Sequence, residues 1–228
     1  DVQPLFVAPW VPVKGNSWYN FADTIIANGG PPLRTKLLGT VLLLCGWIAV
    51  PAMRVAGEAK YLFNGKNMDG WEHIGPGRFT VEDGMLKTHS GMGLLWYSVR
   101  EYGDFILELD FMTEVENANA GVFLRVPGPP SSDDYIYHSW EIQIDDASQS
   151  IHQTGAVYDA EAPTTLASKG PGTWNHFTIS FMGDHITVEL NGEPVLDWEA
   201  ESRGKVEDFA ARGYIGLQNH DRDMKTMF

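Results

Sequence analysis

The run HFTISFMGDHITVELNGEPVLDW, His176–Trp198, decides the fold class. Apolar and polar residues alternate in three stretches, His176–Met182, His185–Leu190 and Glu193–Trp198, and a period of two marks strands with one buried face. Gly183-Asp184 and Asn191-Gly192 part the stretches. Asn-Gly tolerates positive φ at both turn positions, as a two-residue hairpin requires. Two consecutive antiparallel hairpins are therefore predicted.

Moving outward, Phe79–Val81 and Met85–Thr88 flank the turn Glu82-Asp83-Gly84, and Phe105, Leu107, Leu109 and Phe111 alternate with Ile106, Glu108, Asp110 and Met112. Composition agrees: 24 Gly and 13 Pro punctuate short strands, and 8 Trp, 8 Tyr and 11 Phe suit pleated, half-buried surfaces. Several such units bury their apolar faces only against one another, which predicts a mainly β protein built as a sandwich. The balance of 16 Lys+Arg against 30 Asp+Glu gives −14, which repels a phosphate backbone and argues against nucleic acid. Cys45 is the single cysteine, which excludes an internal disulfide framework and a four-thiolate zinc site.

Upstream of Lys60 the pattern changes. Leu37–Met53 is a run of 17 residues without a charge, about 25 Å long as a helix, the short end of a membrane crossing. Arg34, Lys36 and Arg54 bracket it and can snorkel toward headgroups. We read residues 34–54 as a single transmembrane helix; a cleaved leader and a buried core helix are the alternatives. Residues 1–33 carry five prolines, too many for one long helix. Trp10, Trp18, Tyr19 and Asn20 suit a membrane interface or a neighbouring subunit. The expected organisation is thus an arm over 1–33, the helix over 34–54, a linker over 55–60 and a β-sandwich over 61–228. Basic residues before the helix and acidic ones after it place the sandwich in the periplasm and the arm in the cytoplasm of a single-pass inner-membrane protein.

An ordered series of segments resembles the 3-keto-disaccharide hydrolase family: LFNGKNMDGW (Leu62–Trp71), NAGVFLR (Asn119–Arg125), WEIQIDD (Trp140–Asp146), TGAVYDAEAP (Thr154–Pro163), GTWNHFTISFMGDHITVELNG (Gly172–Gly192) and GYIGLQNH (Gly213–His220). The resemblance implies a concanavalin A-like jelly-roll β-sandwich and action on a glycoside whose C3 hydroxyl has become a ketone. The family's closing strand, of the type FRNIRI, would begin at Phe228, so either that strand continues further or a sheet edge is left open.

In Trp140–Asp146, Trp140, Ile142 and Ile144 point one way and Glu141, Gln143 and Asp145 the other. Arg125 stands on a strand whose Val122, Leu124 and Val126 are expected to face away from it, where it can pair with Glu141. His220 lies just past the strand Tyr214–Leu217; His138 and His152 bracket the polar strand. With the resemblance, Glu141, Asp145 and His220 are the expected acid and base groups, and Arg125, Gln143 and Tyr158 the substrate contacts. Trp174-Asn175 reads as core and turn, and Asp133-Asp134 as a solvated turn. No compact ligand spacing such as HExxH is present, so no cofactor is assigned, a divalent metal being the one conceivable addition.

Three functions fit. The arm and helix favour an accessory subunit of a larger membrane complex, of the photosynthetic or respiratory kind, held to other subunits and the bilayer through residues 1–53. The motifs fit a tethered 3-keto-glycoside hydrolase working by elimination and hydration. A carbohydrate-binding sandwich without catalysis is the third.

Overall fold

The computed structural model describes residues 5–9, 60–220 and 226–228. Its strands are β1 (Phe6–Pro9), β2 (Lys60–Tyr61), β3 (Trp71–Ile74), β4 (Arg78–Glu82), β5 (Met85–His89), β6 (Gly93–Tyr97), β7 (Phe105–Thr113), β8 (Ala120–Val126), β9 (Trp140–Ile144), β10 (Asn175–Met182), β11 (His185–Leu190), β12 (Glu193–Glu199), β13 (Tyr214–Asn219) and β14 (Thr226–Met227). One sheet runs β12-β11-β10-β7-β14-β5-β4, with β1 also paired to β7 and to β2. The other runs β3-β6-β13-β8-β9.

The hairpins β10-β11 and β11-β12 form where the alternation placed them, antiparallel, with Met182 opposite His185 and Leu190 opposite Glu193. Asn191 and Gly192 both take positive φ, 58° and 81°, the turn that Asn-Gly predicts. Pro194 is tolerated because β12 is an edge strand. Inward-facing Phe105, Leu107, Leu109 and Phe111 of β7 meet Phe177, Ile179 and Phe181 of β10 in one core with Val122, Leu124, Trp140, Ile142, Ile144, Ile215 and Leu217 of the second sheet. Each such side chain contributes roughly 2–3 kcal/mol by leaving water, so the sandwich rests on this shared layer.

Two expectations change. Residues 5–9, assigned to the arm, belong to the sandwich: Phe6 pairs with Glu108 and Tyr61, and Leu5 and Val7 are buried in the core. The prolines that exclude a long helix do not exclude a short strand ending at Pro9. Because β1 is bonded to β2 and β7, residues 6–9 lie on the same side of any membrane as the sandwich, not across it. At the other end, Thr226–Met227 already fill the place between β5 and β7, with Phe228 exchanging backbone bonds of 2.9 Å with Leu86.

The transmembrane helix expected over 34–54, and Trp10, Trp18, Tyr19, Asn20, Arg34 and Lys36, lie outside the described residues. Among the described residues no helix is long and apolar enough to cross a membrane.

Candidate active site

The outer face of the β3-β6-β13-β8-β9 sheet carries the site. Because side chains alternate, the strands that send Ile142 and Leu217 into the core send Glu141, Gln143 and Gln218 outward. Register then lines them up: Gln218 stands opposite Gly121, and Gly121 opposite Gln143. Gly121 is required there, since a Cβ on it would collide with the Glu141 carboxylate lying across it. The glycine of NAGVFLR thus makes the hollow that Glu141 fills.

Around this floor is a cleft of about 70 Å³. Glu141, Gln143, Gln218, Asn119, Ser139 and His220 form its polar lining, Met92, Phe123, Ile136 and Val206 its apolar one, and Tyr158 and Lys205 a further wall. Phe123 is fixed edge-on against Tyr135 at 4.9 Å between ring centres. Ser139 Oγ donates to the Tyr135 carbonyl at 2.6 Å and Asn119 Nδ2 to Asp145 at 3.0 Å, so both face the cleft already engaged.

The floor residues are not. Glu141, Gln143 and Gln218 are all more than nine-tenths buried, and one side-chain oxygen of each has no hydrogen-bond partner. Buried polar atoms left unpaired cost free energy, so three together mark a surface built to receive donors from a ligand. Burial pushes the Glu141 carboxyl up to about 8, and the Lys205 ammonium works against that rise. A carboxyl group poised near neutral pH suits proton transfer. Hydroxyl donors can dock on the three oxygens while Glu141 and His220 exchange protons with a bound molecule.

The structure brings together four of the six expected site residues, Glu141, Gln143, Tyr158 and His220. Arg125 is elsewhere. It takes φ 57° at a register shift between β8 and β13, a bulge that reverses the facing of the next residue along the strand. Val126 consequently packs with Phe123 on the outer face. The Arg125 guanidinium turns to the opposite side, 3.4 Å from the centre of the Phe181 ring, donating to Gly103 O at 3.0 Å and Gly183 O at 2.8 Å, beside Asp104. It does not pair with Glu141. Its pKa is lowered by burial, against the pull of Asp104.

Asp145 is also structural. It follows the last residue of β9 and accepts from Ala147 N at 3.0 Å, Ser148 N at 3.1 Å, Ser148 Oγ at 2.9 Å and Asn119 Nδ2, which closes a turn. His138 meets Asp208, and His152 lies 3.4 Å from Asp159 with its ring against Tyr158; neither lines the cleft. Asp133 and Asp134 open a 3-10 turn capped by Ser132, and Asn175 is a buried bracing residue bonded to Lys169 N and Asn191. Among the described residues no group of three or more His, Cys, Asp or Glu is placed to hold a metal ion.

Sequence reasoning missed Gln218, Gly121 and Lys205. Gln218 was within reach, one step out of phase with core Leu217. Lys205 sits in the long connection between β12 and β13, where no periodicity points to a face.

The family profile described as a 3-keto-alpha-glucoside-1,2-lyase-like domain matches residues 58–228. A solved structure provisionally described as a glycosyl hydrolase of Parabacteroides distasonis superposes with TM-score 0.65 at 23% identity, covering 74% of this chain and 89% of its own. A second, similarly described and from the same organism, gives TM-score 0.62 at 28% identity, covering 74% and 94%. A Bacillus subtilis protein of galectin-like fold shares the architecture at TM-score 0.50 and 14% identity, covering 70% and 86%. No curated protein matches the chain.

Proposed function

The chain belongs to the 3-keto-alpha-glucoside-1,2-lyase-like family, and from that membership we propose that its cleft cleaves glycosides whose C3 hydroxyl has been oxidised to a ketone. The ketone acidifies the hydrogen on C2. Glu141, once ionised, removes that proton; the glycosidic oxygen leaves C1 with a proton from His220, and a C1=C2 double bond remains, to which water adds. The step is redox-neutral and differs from the two-carboxylate route of ordinary glycosidases. Gln143 and Gln218 accept bonds from the sugar hydroxyls, and Met92, Phe123 and Ile136 take its apolar face.

The observation that carries this reading is the Glu141 carboxyl, buried over Gly121, unpartnered at one oxygen and raised to about 8. A structural carboxylate would be paired; one held bare at the floor of a cleft is suited to take a proton. The test offers the purified protein methyl 3-keto-α-glucoside and its unoxidised parent. Methanol should be released from the keto compound alone, and Glu141→Gln should abolish release with the fold intact. A folded wild type that releases none leaves a carbohydrate-binding role instead.

For residues 10–59 the charge-free run Leu37–Met53 supports a second, compatible proposal: docking to a membrane from the one side on which β1 and the sandwich both lie, with the chain serving as an accessory subunit of a larger membrane complex. Removing residues 10–30, which spares β1, should release the protein from partners in mild detergent. Retention at full occupancy would end that reading.

A further inference from the structure

One wall of the cleft has no role yet in the elimination. Lys205 Nζ lies 3.3 Å from Tyr158 Oη and 4.5 Å from the centre of its ring. An ammonium only donates, so Tyr158 Oη is the acceptor and the phenol keeps its own O–H proton for another partner. Among the described residues, Lys205 forms no ion pair with a carboxylate, although the protein carries a formal −14.

The lysine's place is built. Arg203 donates to Glu161 at 2.8 Å and to Ala160 O at 3.2 Å; Gly204, at φ +60°, packs so closely on the Asp159 backbone that a Cβ would collide with it. Val206 is buried, and Glu207 N donates to Tyr137 O at 3.0 Å. Anchors on both sides of Lys205 therefore present this cation to the cleft that Glu141 and His220 also line.

We propose that Lys205 and Tyr158 are catalytic residues that receive the negative charge developing on the C3 oxygen of the substrate. This rests on the elimination reading. As Glu141 takes the C2 proton, the C2–H electron pair becomes a C2=C3 bond and the C3=O π pair moves onto O3. The ammonium and the phenol O–H face that oxyanion. On collapse C3=O re-forms, C1=C2 forms, and the C1–O bond breaks, its oxygen taking a proton from His220. No electrons are gained or lost overall. A donor aimed at charge present only along the reaction acts on kcat more than on KM.

The test uses wild type, Lys205→Met, Lys205→Arg and Tyr158→Phe on the methyl 3-keto-α-glucoside, with calorimetric binding of glucose 3-sulfate, an O3 anion, against glucose. Lys205→Met should lower kcat on the order of tenfold with KM little changed, the lysine being exposed and its charge screened by water, and Lys205→Arg should recover part. Its pH–rate midpoint should rise above about 8, because Lys205 helps Glu141 ionise. Tyr158→Phe should lower kcat by roughly tenfold, the worth of one hydrogen bond. Wild type should bind glucose 3-sulfate about tenfold more tightly than glucose, and Lys205→Met should lose that preference. Wild-type kcat in Lys205→Met, or no preference for the sulfate, overturns the proposal. An inactive wild type that still prefers the sulfate through Lys205 removes the lyase reading and the catalytic role with it, leaving an anion-binding site.

Discussion

With its carboxyl sunk over Gly121 and its pKa pushed up to about 8 by burial, Glu141 holds its proton across neutral pH while the cleft is empty. The folded value lies above the ordinary 4.5, so its stabilising contribution is full below about pH 4.5 and is lost as pH rises through about 8. Glu141→Gln removes that loss. In urea titrations the two proteins should be equally stable near pH 4.5, and the variant should lead by on the order of 2–4 kcal/mol at pH 8. Activity should run the other way in wild type, rising with pH to a plateau above about 8 because the base must be ionised. Arg125 gives the contrasting case. Its guanidinium braces Gly103, Gly183 and Phe181 away from the cleft; Arg125→Met should therefore cost about 2–4 kcal/mol of stability and leave KM for the keto-glycoside unchanged. A raised KM at full stability would restore it as a substrate contact. The sequence could not disclose this, since a single bulge residue at φ 57° reverses the facing that alternation assigns.

At the scale of elements, alternation and turn chemistry read well wherever one strand face is wet and the other dry. β7, β9, β10, β11 and β12 all stand where the pattern placed them, and so does the split of Trp140, Ile142 and Ile144 from Glu141 and Gln143. Two elements were illegible for physical reasons. The connection from β12 to β13 carries Lys205 and Val206 into the cleft wall through scattered anchors with no period. β1 is only Phe6–Pro9, too short to show alternation, and it pairs with strands far away in sequence. Its burial predicts a measurable effect: Val7, fully buried in the core, should on replacement by Ala cost about 2 kcal/mol of sandwich stability in urea titration. No change would mean that residues 5–9 are not part of the folded unit.

Over the whole molecule, one sheet pair divides the work. The shared inner layer of Phe, Leu, Ile, Val and Trp holds the fold, and the outer face of the five-stranded sheet is free to carry buried polar groups that would be a liability inside. The ordered motifs disclosed which strands build that face, and alternation disclosed Glu141 and Gln143; the cross-sheet row that adds Gln218 and Gly121 depends on register, which one strand's sequence does not state. The central claim is that this face removes a proton from carbon before the glycosidic bond breaks. The most direct measurement tracks methyl 3-keto-α-glucoside labelled with deuterium at C2 by NMR in ordinary water. Elimination through Glu141 predicts that cleaved sugar has lost its C2 deuterium to solvent, that cleavage of the labelled compound is slowed by a primary isotope effect, and that Glu141→Gln shows neither label loss nor methanol release. Methanol release with the C2 deuterium retained in the product would contradict the account and indicate direct displacement at C1.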